Sequence, residues 1–210
     1  MQKLFTETSK GFTLVELMVT IAIAGVLVGI AIPSFTSIIS NNRLTTSANE
    51  LVTALNLARS EAVKRGVSVT VRKVDDKSST NKNKTAWASA NWEQGWDVFT
   101  DANDNGEFDT GDDVLLKTYG ALSASYTLRG NSFSDFINFS SSGQSNGGGS
   151  FVICNNSDGN NVPEANTSRL IIVSPIGRLR MGLDANNDGI PNKDTVASTA
   201  SNITSCLPPF

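Results

Sequence analysis

From Leu17 to Asn42 the chain carries no charged residue, and the centre of that stretch reads Leu-Met-Val-Thr-Ile-Ala-Ile-Ala-Gly-Val-Leu-Val-Gly-Ile-Ala-Ile. About 20 apolar residues suffice to cross a bilayer as a helix. The run is apolar on every side, which the core helix of a soluble domain is not. Lys3, Glu7 and Lys10 precede it in a short polar leader. Lysines on that side keep the leader cytoplasmic and send everything beyond Arg43 outward. A cleaved secretory signal, or a plain uncleaved anchor, would account for the hydrophobicity equally well. Neither accounts for Glu16. A carboxylate at the mouth of an apolar segment is costly unless neutralised or paired, and so marks a functional position.

Composition closes off several chemistries. The chain has no histidine and two cysteines. Ser-His-Asp and Cys-His catalysis and histidine-based metal sites are therefore excluded, and so is a zinc cluster. A formal net charge of −3 excludes indiscriminate, histone-like nucleic-acid binding. With no nucleophile motif in sight, an anchored periplasmic enzyme is the weakest reading and a non-enzymatic role the expected one.

The residues Gly11-Phe12-Thr13-Leu14-Val15-Glu16 resemble the processing site of type IV prepilins and pseudopilins. The resemblance implies a leader 1–11, cut between Gly11 and Phe12 by a membrane prepilin peptidase, with N-methylation of Phe12. It implies that residues 12–40 form the transmembrane and filament-core half of a long helix, with residues 41–210 as a periplasmic head. It also implies insertion in the bacterial inner membrane, then entry into a pilus alongside major and minor pilins. Glu16 would pair with the freed amine of Phe12 on a neighbouring subunit, offsetting burial of both charges. Pro33 falls where the family often has a kink or local melting.

Beyond the apolar run, Leu44, Ala48, Leu51, Val52, Leu55, Ala58, Ala62 and Val63 keep helical spacing. Glu61 and Arg65 form an i,i+4 pair, and Gly66 suits the residue after a helix end. From Val67 the period becomes two, predicting a half-buried strand in which Val67, Val69 and Val71 face inward. Further strands are expected over 95–100, 114–118, 125–129, 135–139, 150–154, 168–174 and 176–181, separated by Asn/Gly/Ser/Asp turns. The expected class is α+β, a long N-terminal helix packed on an antiparallel β-sheet head. The stretch Trp92–Asp101, followed by an Asn/Gly/Asp turn and Val114-Leu115-Leu116, is similar to the GspH/FimT branch of pilin-like proteins. That branch holds FimT- and FimU-type minor pilins and a type II secretion pseudopilin. The segments 75–89 and 186–210 exceed what the resemblance places.

Three constellations remain. Cys154 and Cys206 fall on the oxidising side and suit a disulfide that pins the tail to the sheet, the alternative being two separate buried thiols. Asp101, Asn103, Asn105, Glu107, Asp109 and Asp112 occupy the ligand positions of a calcium loop, and Asp184-Ala-Asn186-Asn-Asp188-Gly189 begins another, with Thr195 in place of its closing acid. A plain turn fits both. No other cofactor is expected. Last, Gly177-Arg178-Leu179-Arg180-Met181 puts two arginines on one face of an extended segment, with Leu179 and Met181 facing the core. This resembles the GRxR signature of DNA-binding FimT-type pilins of natural transformation. Solvated arginines or contacts to another pilin are the plain alternative. Arg169, Arg129, Arg72, Lys73, Lys77, Lys82 and Lys84 are possible helpers, and Trp87, Trp92 and Trp96 possible stacking platforms, with Trp96 expected in the core.

Overall fold

The computed structural model describes residues 11–74, 90–193 and 201–210. Residues 1–10 of the leader, the expected helpers Lys77, Lys82 and Lys84, Trp87 and Thr195 lie outside the described residues. The long helix α1 runs Leu14–Arg65 and enters two compact units, one ending at Ser40 and the other spanning Asn41–Phe210.

In the first unit α1 displays apolar side chains all round. Leu14, Met18, Ile21, Val28 and Ile32 are each more than half exposed. Nothing in this unit covers them, so the segment is stable only against lipid or other chains. The helix is not interrupted at Pro33.

In the second unit one stripe of α1 is fully covered. Leu44, Ala48, Leu51, Ala54, Leu55, Ala58 and Ala62 join one core with the strands. The stripe alternates leucine with alanine, and the small alanines let strands approach closely. Val63, expected on this stripe, is 55% exposed instead. Glu61 binds Arg65 at 2.6 Å and Lys64 at 3.2 Å in the last turn. Gly66, at φ +69°, ends the helix by donating its amide to the Ala62 carbonyl.

Among the described residues eight strands follow: β1 (Val69–Lys73), β2 (Trp96–Thr100), β3 (Leu115–Tyr119), β4 (Tyr126–Asn131), β5 (Phe136–Phe139), β6 (Gly149–Asn155), β7 (Ser168–Val173) and β8 (Leu179–Met181). They form two antiparallel sheets of four, in the orders β3-β2-β1-β5 and β4-β6-β7-β8. Both sheets turn their inner faces to α1. Val71, Val98 and Ile137 from the first meet Leu128, Ile153 and Ile171 from the second in the shared core. Trp92 joins them, its ring edge-on to Phe151 at 5.0 Å and its indole N–H bonded to the Phe133 carbonyl at 2.9 Å.

The outer faces are not left to water, and here the structure departs from the alternating pattern. β1 is buried at all five positions. Its outward Thr70 and Arg72 are covered by the loop after β2. Arg72 donates to the Gly106 carbonyl and lies over the Phe136 ring at 5.8 Å. On the second sheet, Val152, Cys154 and Leu170 point away from α1 and form a smaller core with Ile203, Cys206 and Phe210 of the tail. A disulfide joins Cys154 to Cys206. The tail is therefore a structural cover, which explains why Phe151-Val-Ile-Cys154 and Leu170-Ile-Ile-Val173 are apolar on both faces.

Candidate functional site

Three places hold the residues that the sequence singled out. The first is the start of α1. Thr13 is its N-cap: the hydroxyl accepts the Glu16 amide at 3.2 Å, and the Thr13 carbonyl accepts the Leu17 amide at 3.1 Å. Thr13 was missed in the sequence, although Thr-x-x-Glu is the signature of a helix start. The Glu16 side chain is exposed among apolar neighbours and has no hydrogen-bond or ion-pair partner among the described residues. At Gly11, a Cβ would meet nothing within 4 Å. No packing among the described residues demands a glycine there.

The second place is the β7–β8 hairpin. The Gly177 amide donates to the Ser174 carbonyl at 2.8 Å, and the Ser174 hydroxyl accepts the Arg178 amide at 3.1 Å. Gly177 has φ +74°, and a Cβ there would stand 2.0 Å from the Gly143 carbonyl oxygen. That carbonyl also accepts the Arg59 guanidinium of α1 at 3.0 Å. Gly177 is thus a positioning residue that seats the hairpin on α1, and not itself a binding surface. Arg178 is exposed and Arg180 half-buried. Arg180 pairs with Ile172 in register, and Leu179 with Val173, so Arg180 stands on the outer face while Leu179 packs on the main core. Met181, expected inside, is 36% exposed because β8 is an edge strand only three residues long.

Neither guanidinium of this pair has a partner among the described residues, but the four expected helpers that are described do. Arg129 is paired with Glu93. Lys73 binds Asp135 at 2.7 Å, which holds that carboxyl below its usual range against the opposing effect of burial. Arg169 donates to the Ser168 carbonyl at 2.7 Å and reaches the Thr45 hydroxyl at 3.4 Å, and its burial weakens its hold on a proton. Arg72 is enclosed under the loop after β2. These four serve the fold, and Trp92 and Trp96 are too deeply buried to stack on a base.

The third place is the pair of acidic loops. Asp101 is fully buried. Its carboxylate accepts the Asn105 and Gly106 amides at 3.1 and 2.8 Å, the Thr70 hydroxyl at 2.7 Å and the Asn138 amide group at 3.3 Å. Asn103 and Asn105 both donate to Asp109, while Glu107 gives its backbone amide to Asn105. The acid that closes the loop is Asp113, which accepts the Ala102 and Asp109 amides at 3.2 and 2.8 Å. Asp112 is exposed and stands outside this arrangement. Among the described residues no group of three or more acidic or cysteine side chains is placed to hold a metal ion. Asp113 thus stands where the sequence reading has Asp112 close the loop, and the leading Asp101 carboxylate ties the loop to the first sheet. In the second loop Asp184 likewise accepts the Asp188 and Gly189 amides at 3.1 and 2.8 Å, while Asp188 is bonded by Asn202 of the tail at 2.5 Å.

Comparison with known proteins decides the family. Residues 47–177 match the family model described as type II transport protein GspH. The chain belongs to the GspH family. Residues 8–32 of this GspH-family chain match the prokaryotic N-terminal methylation motif. A fimbrial protein of Pseudomonas aeruginosa is 38% identical over 63 residues, which is 30% of this chain and 40% of that relative. The chain thus spans under half the length of the curated relatives it matches. Among solved structures, the type IV minor pilin FimU of Pseudomonas aeruginosa superposes with a TM-score of 0.51 at 21% identity, covering 79% of this chain and 96% of that one. The minor pseudopilin EpsH of the type 2 secretion system of Vibrio cholerae gives 0.42 at 14% identity, covering 66% and 95%. The fold is that of type IV pilin-like proteins.

Proposed function

We propose that this chain is a minor subunit of a type IV pilus, made as a prepilin and assembled through its N-terminal helix. Prepilin peptidase cuts between Gly11 and Phe12, and the new amine of Phe12 is methylated. The helix holds the subunit in the inner membrane with the head in the periplasm until it joins other pilins. One observation carries this reading: among the described residues Glu16 has no partner, and the helix segment that bears it is apolar on all sides and left uncovered. A second subunit supplies both missing partners, its apolar helix and its Phe12 amine. The free space around Gly11 supports a requirement imposed by an external enzyme. The match to the methylation motif and the likeness to fimbrial relatives support the pilus form, and a type II secretion pseudopilus would use the same helix in the same way.

The test is the mature N-terminus and the fate of a Glu16→Ala chain. Mass spectrometry of native protein is expected to give N-methylated Phe12 as residue one. Glu16→Ala is expected to be processed normally and yet be absent from sheared filaments. Retention of Met1, or parental levels of Glu16→Ala in filaments, would overturn the proposal. A secretion defect without a pilus defect on gene deletion would favour the pseudopilus.

A second reading rests on Arg178 and Arg180. Two guanidiniums without a partner among the described residues, both on a hairpin anchored by Gly177, suit phosphate, and DNA capture for uptake is the corresponding role. An electrophoretic shift is expected with the parent protein and is expected to be lost in Arg178→Ala/Arg180→Ala. Equal shifts would refute it.

A further inference from the structure

The outer face of the second sheet and the tail enclose a cavity of about 180 Å³. Leu170 and Ile172 of β7 form one apolar wall, and Ile203 and Phe210 of the tail line the other. Asn131 of β4 and Ser150 of β6, register neighbours, also border the space. Neither the Asn131 carboxamide nor the Ser150 hydroxyl is hydrogen-bonded within the described residues. Lys193 stands at the cavity as well, its backbone amide bonded to the Ser201 carbonyl at 2.9 Å and its ammonium without a partner among the described residues. Arg180 is opposite Ile172 in register, one strand spacing, about 4.8 Å, from the cavity wall. Arg178, two residues earlier, is exposed in the turn of the same hairpin.

These features prescribe a ligand. The walls are apolar, the border offers a donor-acceptor amide and a hydroxyl, and Lys193 at the border and Arg180 one strand away carry cations without a partner among the described residues. The volume equals that of roughly six waters at ~30 Å³ each, below the ~300 Å³ where pockets for drug-sized molecules begin. A single flat heterocycle carrying phosphate meets every condition. In a duplex, bases are stacked and paired, and only an unstacked base can enter such a slot. We propose that the hairpin site takes single-stranded DNA, with phosphates held by Arg178, Arg180 and Lys193 and one unstacked base inserted between β7 and the tail. This deepens, and rests on, the DNA reading of the two arginines. It also supplies the base contact that buried Trp92 and Trp96 cannot.

The experiment measures fluorescence anisotropy of the full chain in detergent micelles. The probes are a labelled oligo-dT strand, a duplex of equal length and an abasic strand of equal length. The expected result is binding of oligo-dT about tenfold tighter than either the duplex or the abasic strand, as base contacts in single-strand sites usually contribute. Asn131→Ala/Ser150→Ala removes groups that are hydrogen-bonded to none of the described residues, and is expected to cut oligo-dT affinity several-fold with duplex affinity unchanged. Arg178→Ala/Arg180→Ala is expected to weaken all three. Equal affinity for oligo-dT and the abasic strand overturns the base slot while leaving the arginine reading standing. Failure of the parent chain to bind any probe overturns both.

Discussion

Breaking the link between Cys154 and Cys206 tests how much the tail matters to the head. The two cysteines are 52 residues apart in sequence and both are buried. In the chain-entropy account, a cross-link closing a loop of that size stabilises the folded state by about 4 kcal/mol, by restricting the unfolded chain. For a domain of this size each kcal/mol corresponds to roughly 2–4 °C in Tm. Cys206→Ser is therefore expected to melt about 8–16 °C below the parent. Differential scanning calorimetry of both chains in the same detergent, without reductant, reads this directly. Because neither sulfur is accessible in the folded state, adding reductant to the parent should leave its Tm in place until unfolding begins. A fall of less than about 4 °C would refute the argument. Contacts of Ile203 and Phe210 with Val152 and Leu170 would then hold the tail unaided. Ile203→Ala in the Cys206→Ser background measures those contacts, at about 2–5 kcal/mol for a buried isoleucine.

Three other outcomes follow from the packing. Gly177→Ala places a methyl group against the Gly143 carbonyl at a positive φ and is expected to cost about 2–4 kcal/mol in urea denaturation; parental stability would mean that the hairpin seats differently on Arg59. Asp101→Ala strands the Thr70, Asn105, Gly106 and Asn138 donors and is expected to cost about 3 kcal/mol or more, a loss that excess calcium does not restore. Asp135 is half-exposed and its folded-state pKa is lowered chiefly by the hydrogen bond from Lys73, so its contribution is present above the unfolded value near 3.9 and fades as pH falls through the folded one. Asp135→Asn is expected to cost about 1 kcal/mol at neutral pH, after allowing for screening, and stability curves of parent and variant should converge in acid. A constant gap at low pH would count against the ion pair.

Much of the outline was readable because it depends on neighbours in sequence. Uncharged residues at every angular position dictate a helix that must be covered from outside, wherever the rest of the chain goes. The 3.6-residue spacing of Leu44, Ala48, Leu51, Leu55, Ala58 and Ala62 and the turn chemistry between strands likewise act over a few residues. The observed helix and strand bounds lie within a few residues of the expected ones, except at β8, where the strand begins three residues later than expected because Gly177 and Arg178 form the hairpin turn.

What depended on distant segments was not readable. Alternation in β1 predicted one wet face, but Asp101, 31 residues on, bonds Thr70 and draws its loop across that face. The second sheet is apolar on both faces because the tail returns from beyond residue 200 to cover the outer one. Acidic spacing at 101–112 suggested a metal, whereas only the folded loop shows the Asp101 carboxylate already surrounded by four donors. The arginines were alike in sequence, and tertiary contacts sorted them by giving partners to Arg72, Arg129 and Arg169 and, among the described residues, none to Arg178 and Arg180. Local propensity and hydrophobic pattern decide what each segment is. Which faces are dry, and which charges stay free, is decided by segments tens of residues away, whose return no local pattern records.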